Sequence, residues 1–357
     1  MSKPKVLLGC NAHRDANAGV AGTVLDIGAA LERHGWEAHF QFAKPNTDPR
    51  IERQMTYLRT VASARRVKPR AAIIASGDGA LFPLLRPGLP LIVHSHGLEH
   101  MVRAAWDAHE LPHTFGLGHR YLREPAVGFA SRRADAVVVQ TKGQADFAIE
   151  MLRVHRDRVH VIPNSVTRDF FDIVPTGDTR PTVIWVGSWL SSKGSLWMPD
   201  VLADLLRRIP DAHLHLVGTG VSESDVRADF SGGQQPHLSV TSRASRDELK
   251  HALAGARVGL FTSAFEGFGR APLEMAAAGL PLVSTDVGVA SDLVKAGETG
   301  ALIKFGAVHD AALRVADYLI NPDIAAKHGA AARQLAHRFE AERVGAEWHE
   351  LVSSVVH

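Results

Sequence analysis

Residues 263–286 read SAFEGFGRAPLEMAAAGLPLVSTD and set two glutamates, Glu266 and Glu274, eight positions apart. Just upstream, RVGLFT (257–262) is a short apolar run of strand type, so EGFGR follows at the carboxyl end of a strand. Pro272 suits the first turn of a helix, where its missing N–H would have no partner anyway. Gly279 stops that helix two turns on, and PLVST (281–285) is the next strand. A glycine-bearing loop at a helix start exposes backbone N–H groups and the positive end of the helix dipole, which makes an anion site. This reading puts Glu266 at the strand end and Glu274 in the first helical turn. Carboxylates beside an anion site make sense as hydroxyl binders, each charge-assisted bond contributing about 1.5–3 kcal/mol. The plainer alternative is an acidic first turn that only favours the dipole, by about 0.3–1 kcal/mol. A phosphate flanked by two diol binders fits a nucleotide sugar, with ribose on one side and hexose on the other.

The same alternation runs outward along the chain. KVLLGC, AAIIAS, PLIVHS, DAVVVQT and VHVIP in the first half, and TVIWVG, AHLHLVG, RVGLFT and PLVST in the second, are short apolar runs of buried parallel-strand type. Helical stretches separate them. One runs from Thr23 to Arg33 and ends at Gly35. Others open on capping boxes at Thr141 (T-x-x-Q) and Ser245 (S-x-x-E). Residues 163–181 hold three prolines and a glycine without clear periodicity. The expected architecture is α/β, two doubly wound Rossmann-like domains facing a central cleft. The domains are expected at 1–172 and 173–339. A C-terminal helix of about 340–357 could pack back on the first.

The 357 residues carry 40 basic and 38 acidic side chains, so bulk attraction to nucleic acid is not indicated. The single cysteine, Cys10, excludes an intramolecular disulfide and a cysteine zinc cluster. No run reaches the roughly 18 apolar residues of a spanning helix, and Val6–Leu8 is too short for a signal peptide. The expectation is a soluble, cytoplasmic protein. Two basic stretches of the first half, 57–70 and 120–135, leave open a peripheral contact with the inner face of a membrane.

The E-x7-E spacing with GFG and LEMAAAGLPLV resembles the family-4 retaining glycosyltransferases of GT-B fold. The likeness is sharpest over residues 257–300. It implies that Glu266 contacts donor-sugar hydroxyls, that Glu274 holds the ribose, and that Gly267, Phe268, Gly269 and Arg270 line the donor. In VGSWLSSKGSLWM, Gly187, Lys193 and Gly194 match the family pattern, with Lys193 on the donor diphosphate. Ser188 stands where the family has an arginine, and Arg270 could supply that charge. Gly19 and Gly22 fit the N-terminal glycine loop. His96 lies where the family has a histidine near the transferred sugar. Gly288 fits a further family stretch in which Val289 and Asp292 depart from the usual glycine and glutamate.

Two features remain open on the residues alone. His94, His96, Glu99 and His100 cluster as metal ligands would, but their spacing is not that of a hydrolase set, and no metal is expected. Asp78, in SGDGALF (76–82), could face an acceptor or be a plain turn aspartate. The resemblance implies an enzyme moving a sugar from a UDP- or GDP-type donor to a sugar, glycan or lipid-linked acceptor. It needs no metal or other cofactor. Rivals are a nucleotide-sugar binder without turnover and another GT-B enzyme such as a sugar-nucleotide epimerase.

Overall fold

A computed structural model of the chain describes residues 3–15, 19–44, 49–80, 82–85, 88–112, 121, 123–176 and 180–356. It contains two six-stranded parallel sheets. The first joins β1 (Lys5–His13), β2 (Glu37–Ala43), β3 (Ala71–Ala75), β4 (Leu91–His94), β5 (Ala136–Val139) and β6 (Val159–Val161) in the order β2-β1-β3-β4-β5-β6. The second joins β7 (Thr182–Val186), β8 (His213–Val217), β9 (Leu238–Thr241), β10 (Val258–Phe261), β11 (Leu282–Thr285) and β12 (Gly300–Ile303) in the order β12-β11-β10-β7-β8-β9.

The continuous apolar runs follow from burial on both sheet faces. In the first sheet Leu7, Ile74, Val93 and Val137 point into one core cluster, while Val6, Leu8, Ile73, Ile92 and Val138 point into another. In the second, Val183, Trp185, Leu214 and Leu260 fill one face and Ile184, Val217 and Leu282 the other. Strand alternation thus feeds two helix layers per sheet.

The chain divides into two compact units. One holds residues 1–104, 113–165 and 341–357, the other residues 105–112 and 166–340. The second unit takes up the chain at Val166, whose N–H donates to the Phe339 carbonyl at 2.9 Å. Phe170 and Ile173 already lie in the second unit's core. The C-terminal helix Ala341–Val355 places Val344, Trp348, Leu351 and Val352 in the core around β1 and the helix Gly19–Arg33.

The capping box at Ser245 forms as the sequence suggests, with Glu248 reaching back to the Ser245 N–H at 2.7 Å. At Thr141 only half of it forms. The hydroxyl accepts from the Gln144 N–H, but the Gln144 side chain accepts from Gln140, one residue before the cap. Among the described residues, no helix is long and apolar enough to cross a membrane. The helix Pro49–Val67 presents an outward stripe of Met55, Leu58 and Ala62 that runs on to Arg65 and Arg66.

Candidate active site

In the second sheet β7 and β10 are neighbours whose onward connections diverge, β7 toward β8 and β10 toward β11. Ligands of open α/β sheets bind outside the carboxyl ends of strands at such a switch point. The loops leaving these two strands carry Lys193 and Glu266.

The β7 loop ends in a short 3₁₀ turn, Ser191–Lys193, followed by Gly194 at φ +86°. A Cβ on Gly194 would stand 2.5 Å from Thr262 Oγ1, so glycine is required both for the left-handed turn and for the close approach. Trp185 Nε1 donates to Thr262 Oγ1 at 3.0 Å, and that hydroxyl donates to the Lys193 carbonyl at 2.8 Å. The Ala264 N–H donates to the Ser192 carbonyl at 2.8 Å. These bonds staple the β7 loop to the β10 loop. The Lys193 ammonium pairs with Glu266 Oε1, and the same oxygen accepts from Ser263 Oγ at 2.7 Å.

The helix following the glycine loop is Arg270–Ala277. It starts directly after Gly269, two residues before Pro272, so Glu274 is its fifth residue and lies one turn in. This corrects the first-turn placement made from the sequence. Glu274 faces Arg270, with Oε1 3.7 Å from Nε. Phe268, which the resemblance puts along the donor, is 3% exposed as a whole residue, and its ring packs against Phe339 in the core. The Phe268 carbonyl accepts from the Val289 N–H at 2.6 Å. A Cβ on Gly288 would come within 2.2 Å of that carbonyl, which explains the glycine at this position. Val289 is fully buried and Asp292 exposed. The Gly187 N–H donates to the Val217 carbonyl, and Ser188 is exposed beside it.

In the first unit, β1 and β3 form the corresponding switch point. Asp78 sits in a 3₁₀ turn after β3 and accepts from the Asn11 N–H at 2.9 Å, tying the two strand ends together. Gly19 opens the first helix, and Gly22 is buried within it. Residues 16–18 of the glycine loop lie outside the described residues. His94 ends β4, and its ring lies 4.3 Å from that of His96 and 5.2 Å from that of Trp348. Burial pushes the His96 imidazole down to about 4 and lowers His94 as well, so both rings are neutral at pH 7. No group of three or more His, Cys, Asp or Glu among the described residues could hold a metal. The residues that sequence reasoning missed are Thr262, Ser263 and Trp185, whose roles depend on partners brought in by folding.

Two parallel sheets, each with polar groups gathered at its switch point, define the GT-B class of α/β proteins. Residues 166–335 match the family described as Glycosyl transferases group 1, and residues 18–170 match Glycosyltransferase Family 4. The chain belongs to the family-4 glycosyltransferases. A GDP-mannose-dependent alpha-(1-6)-phosphatidylinositol monomannoside mannosyltransferase from Mycobacterium tuberculosis is 32% identical over 163 residues, 43% of this chain. The match spans 42% of that relative's length. Sucrose-phosphate synthase from Thermosynechococcus elongatus shares the fold with a TM-score of 0.79 at 19% identity, over 99% of this chain and 98% of the other. The Anabaena protein HepE in complex with UDP-glucose gives 0.75 at 17% identity, over 98% and 99%.

Proposed function

We propose that this chain is a retaining glycosyltransferase that moves a sugar from a UDP- or GDP-type nucleotide sugar to a hydroxyl of a sugar, glycan or lipid-linked acceptor. The observation that carries this reading is the gathering of Lys193, Glu266 and Glu274 around the β7–β10 switch point. Lys193 and the N-terminus of the helix Arg270–Ala277 supply positive potential for the diphosphate. Glu274 takes the ribose and Glu266 the transferred sugar. His96, neutral at pH 7, offers the sugar a hydrogen bond and no charge. The acceptor oxygen bonds to the anomeric carbon as the bond from that carbon to the phosphate oxygen breaks, and the acceptor proton passes to the departing diphosphate. Attack and departure on one face retain the configuration. The charge gained by the leaving group is met by fixed cations and dipoles, so the reading needs no metal.

A panel of UDP- and GDP-sugars scored for nucleotide release tests the reaction, and NMR of the product's anomeric centre tests retention. Release from none of the donors, or an inverted product, sinks this reading. Ser188, exposed where the family has an arginine, favours a second one: nucleotide-sugar binding without turnover. Tight donor binding with no release under any acceptor would select it. The outward stripe of Met55, Leu58, Arg65 and Arg66 suits peripheral contact with an anionic bilayer. Co-sedimentation with phosphatidylglycerol vesicles, lost on Leu58→Glu, checks this contact.

A further inference from the structure

The ammonium assigned to the donor diphosphate already has a partner, since Lys193 pairs with Glu266, the carboxylate assigned to the donor sugar. The side chains of both are largely withdrawn from water, at 28% and 13% exposure. The backbone around them is fixed. Thr262 holds the Lys193 carbonyl, Ala264 holds the Ser192 carbonyl, and Gly194 passes so close to Thr262 that a Cβ there would stand 2.5 Å from its Oγ1. An ammonium has three N–H donors, but its charge is shared while it stays paired, so Lys193 commits fully to an incoming phosphate only as it leaves Glu266, and Glu266 then needs another donor. Ser263 supplies one hydrogen bond to Oε1. An ionised carboxylate accepts several.

We propose that Glu266 competes with the diphosphate for Lys193, and that this competition separates substrate from product. The proposal rests on the donor-site reading above. A nucleotide sugar resolves the competition, because its sugar hydroxyls replace Lys193 as donors to Glu266. A nucleoside diphosphate brings no such hydroxyls. Its binding leaves Glu266 short of a partner and Lys193 contested, so product is held less tightly and leaves more readily.

Calorimetry with UDP and with GDP on four proteins tests this: wild type, Glu266→Gln, Lys193→Gln and the double variant. Glutamine keeps the size of Glu266 and its bond from Ser263 while removing the charge. Glu266→Gln should tighten the nucleoside diphosphate by about three- to tenfold, the range of a partly buried ion pair released. In the Lys193→Gln background the same change should alter affinity by less than about twofold, because the coupled partner is gone. Unchanged or weaker diphosphate binding by Glu266→Gln overturns the proposal. So does an equal gain in both backgrounds, which would mean general repulsion between Glu266 and the phosphates. Wild-type protein that binds neither nucleotide overturns the donor-site reading, and the proposal with it.

Discussion

A Cβ on Gly194 would lie 2.5 Å from Thr262 Oγ1 and 2.6 Å from the Thr262 carbonyl oxygen, at a backbone φ of +86°. Gly194→Ala must therefore strain the turn and push Thr262 away from the Lys193 carbonyl. The expected cost is about 2–4 kcal/mol, read as a fall in the urea midpoint. A variant within about 0.5 kcal/mol of wild type would show that the staple is not needed. Thr262→Val probes the staple differently. It keeps the shape but leaves Trp185 Nε1 and the Lys193 carbonyl without their partner, at about 1–3 kcal/mol. Glu274 bears on ligand rather than fold. If it holds the ribose, Glu274→Ala should weaken nucleoside diphosphate binding by about 1.5–3 kcal/mol in calorimetry, and an unchanged affinity removes that role. Glu266 and Lys193 could be picked out from spacing after strands. Their pairing could not, because it joins positions 73 residues apart through side-chain geometry.

At the scale of elements, β8 and β9 are joined by histidines as well as by their backbone ladder. His213 and Ser239 are linked at 2.8 Å, and His215 and Thr241 at 3.1 Å. Burial, reinforced by Arg180, His215, His237 and Arg227, brings His213 down to about 4, and burial with nearby His251 lowers His215. A histidine whose folded pKa lies below its unfolded value of about 6.5 stabilises the fold fully only above that value. The contribution is lost as pH falls from about 6.5 toward 4, by up to about 1.4 kcal/mol per pH unit for each such group. The urea midpoint should therefore drop between pH 7 and pH 5, and less steeply in His213→Gln. Identical slopes in the two proteins would clear His213 of the effect. The strands that sequence reading passed over are β2, β9 and β12, and each is a sheet edge. EAHFQFA and LSVT mix polar with apolar residues because one side of an edge strand meets no neighbouring strand. The interior strands, apolar on both faces, were legible for the same physical reason. The start of the helix at Arg270 was misplaced because Pro272 tolerates any position in the first turn, so it fixes the helix only to within a turn.

At the scale of the whole molecule, the chain lends residues 105–112 to the second unit, leaves the first after Ser165 to build the rest of the second, and returns at Ala341. The returning helix Ala341–Val355 completes a core rather than decorating a surface. Trp348 is 2% exposed and Val352 fully buried, both within the cluster formed by Val6, Leu8, Val24 and Ile27. A Cβ on Gly345 would lie 3.0 Å from the Ala30 Cβ, so two small residues let this helix approach the first one closely. His349 Nδ1 accepts from Trp36 Nε1 at 3.1 Å, fixing the contact at a second point. The amphipathic pattern of the last residues is legible in sequence as a helix. Its partner is not, because the surface it covers lies more than three hundred positions earlier. Ending the chain after Glu340 should therefore unfold the first unit while the second, whose core draws on residues 166–340, stays folded. Limited proteolysis should cut the truncated protein freely below residue 165 and spare a fragment of the second unit. Trp348→Ala in the full chain should cost about 3–5 kcal/mol in the same unit, the usual penalty for emptying a large aromatic site. If the truncated chain resists protease at both units as the full chain does, the C-terminal helix is dispensable to the first fold and its burial contributes little to stability.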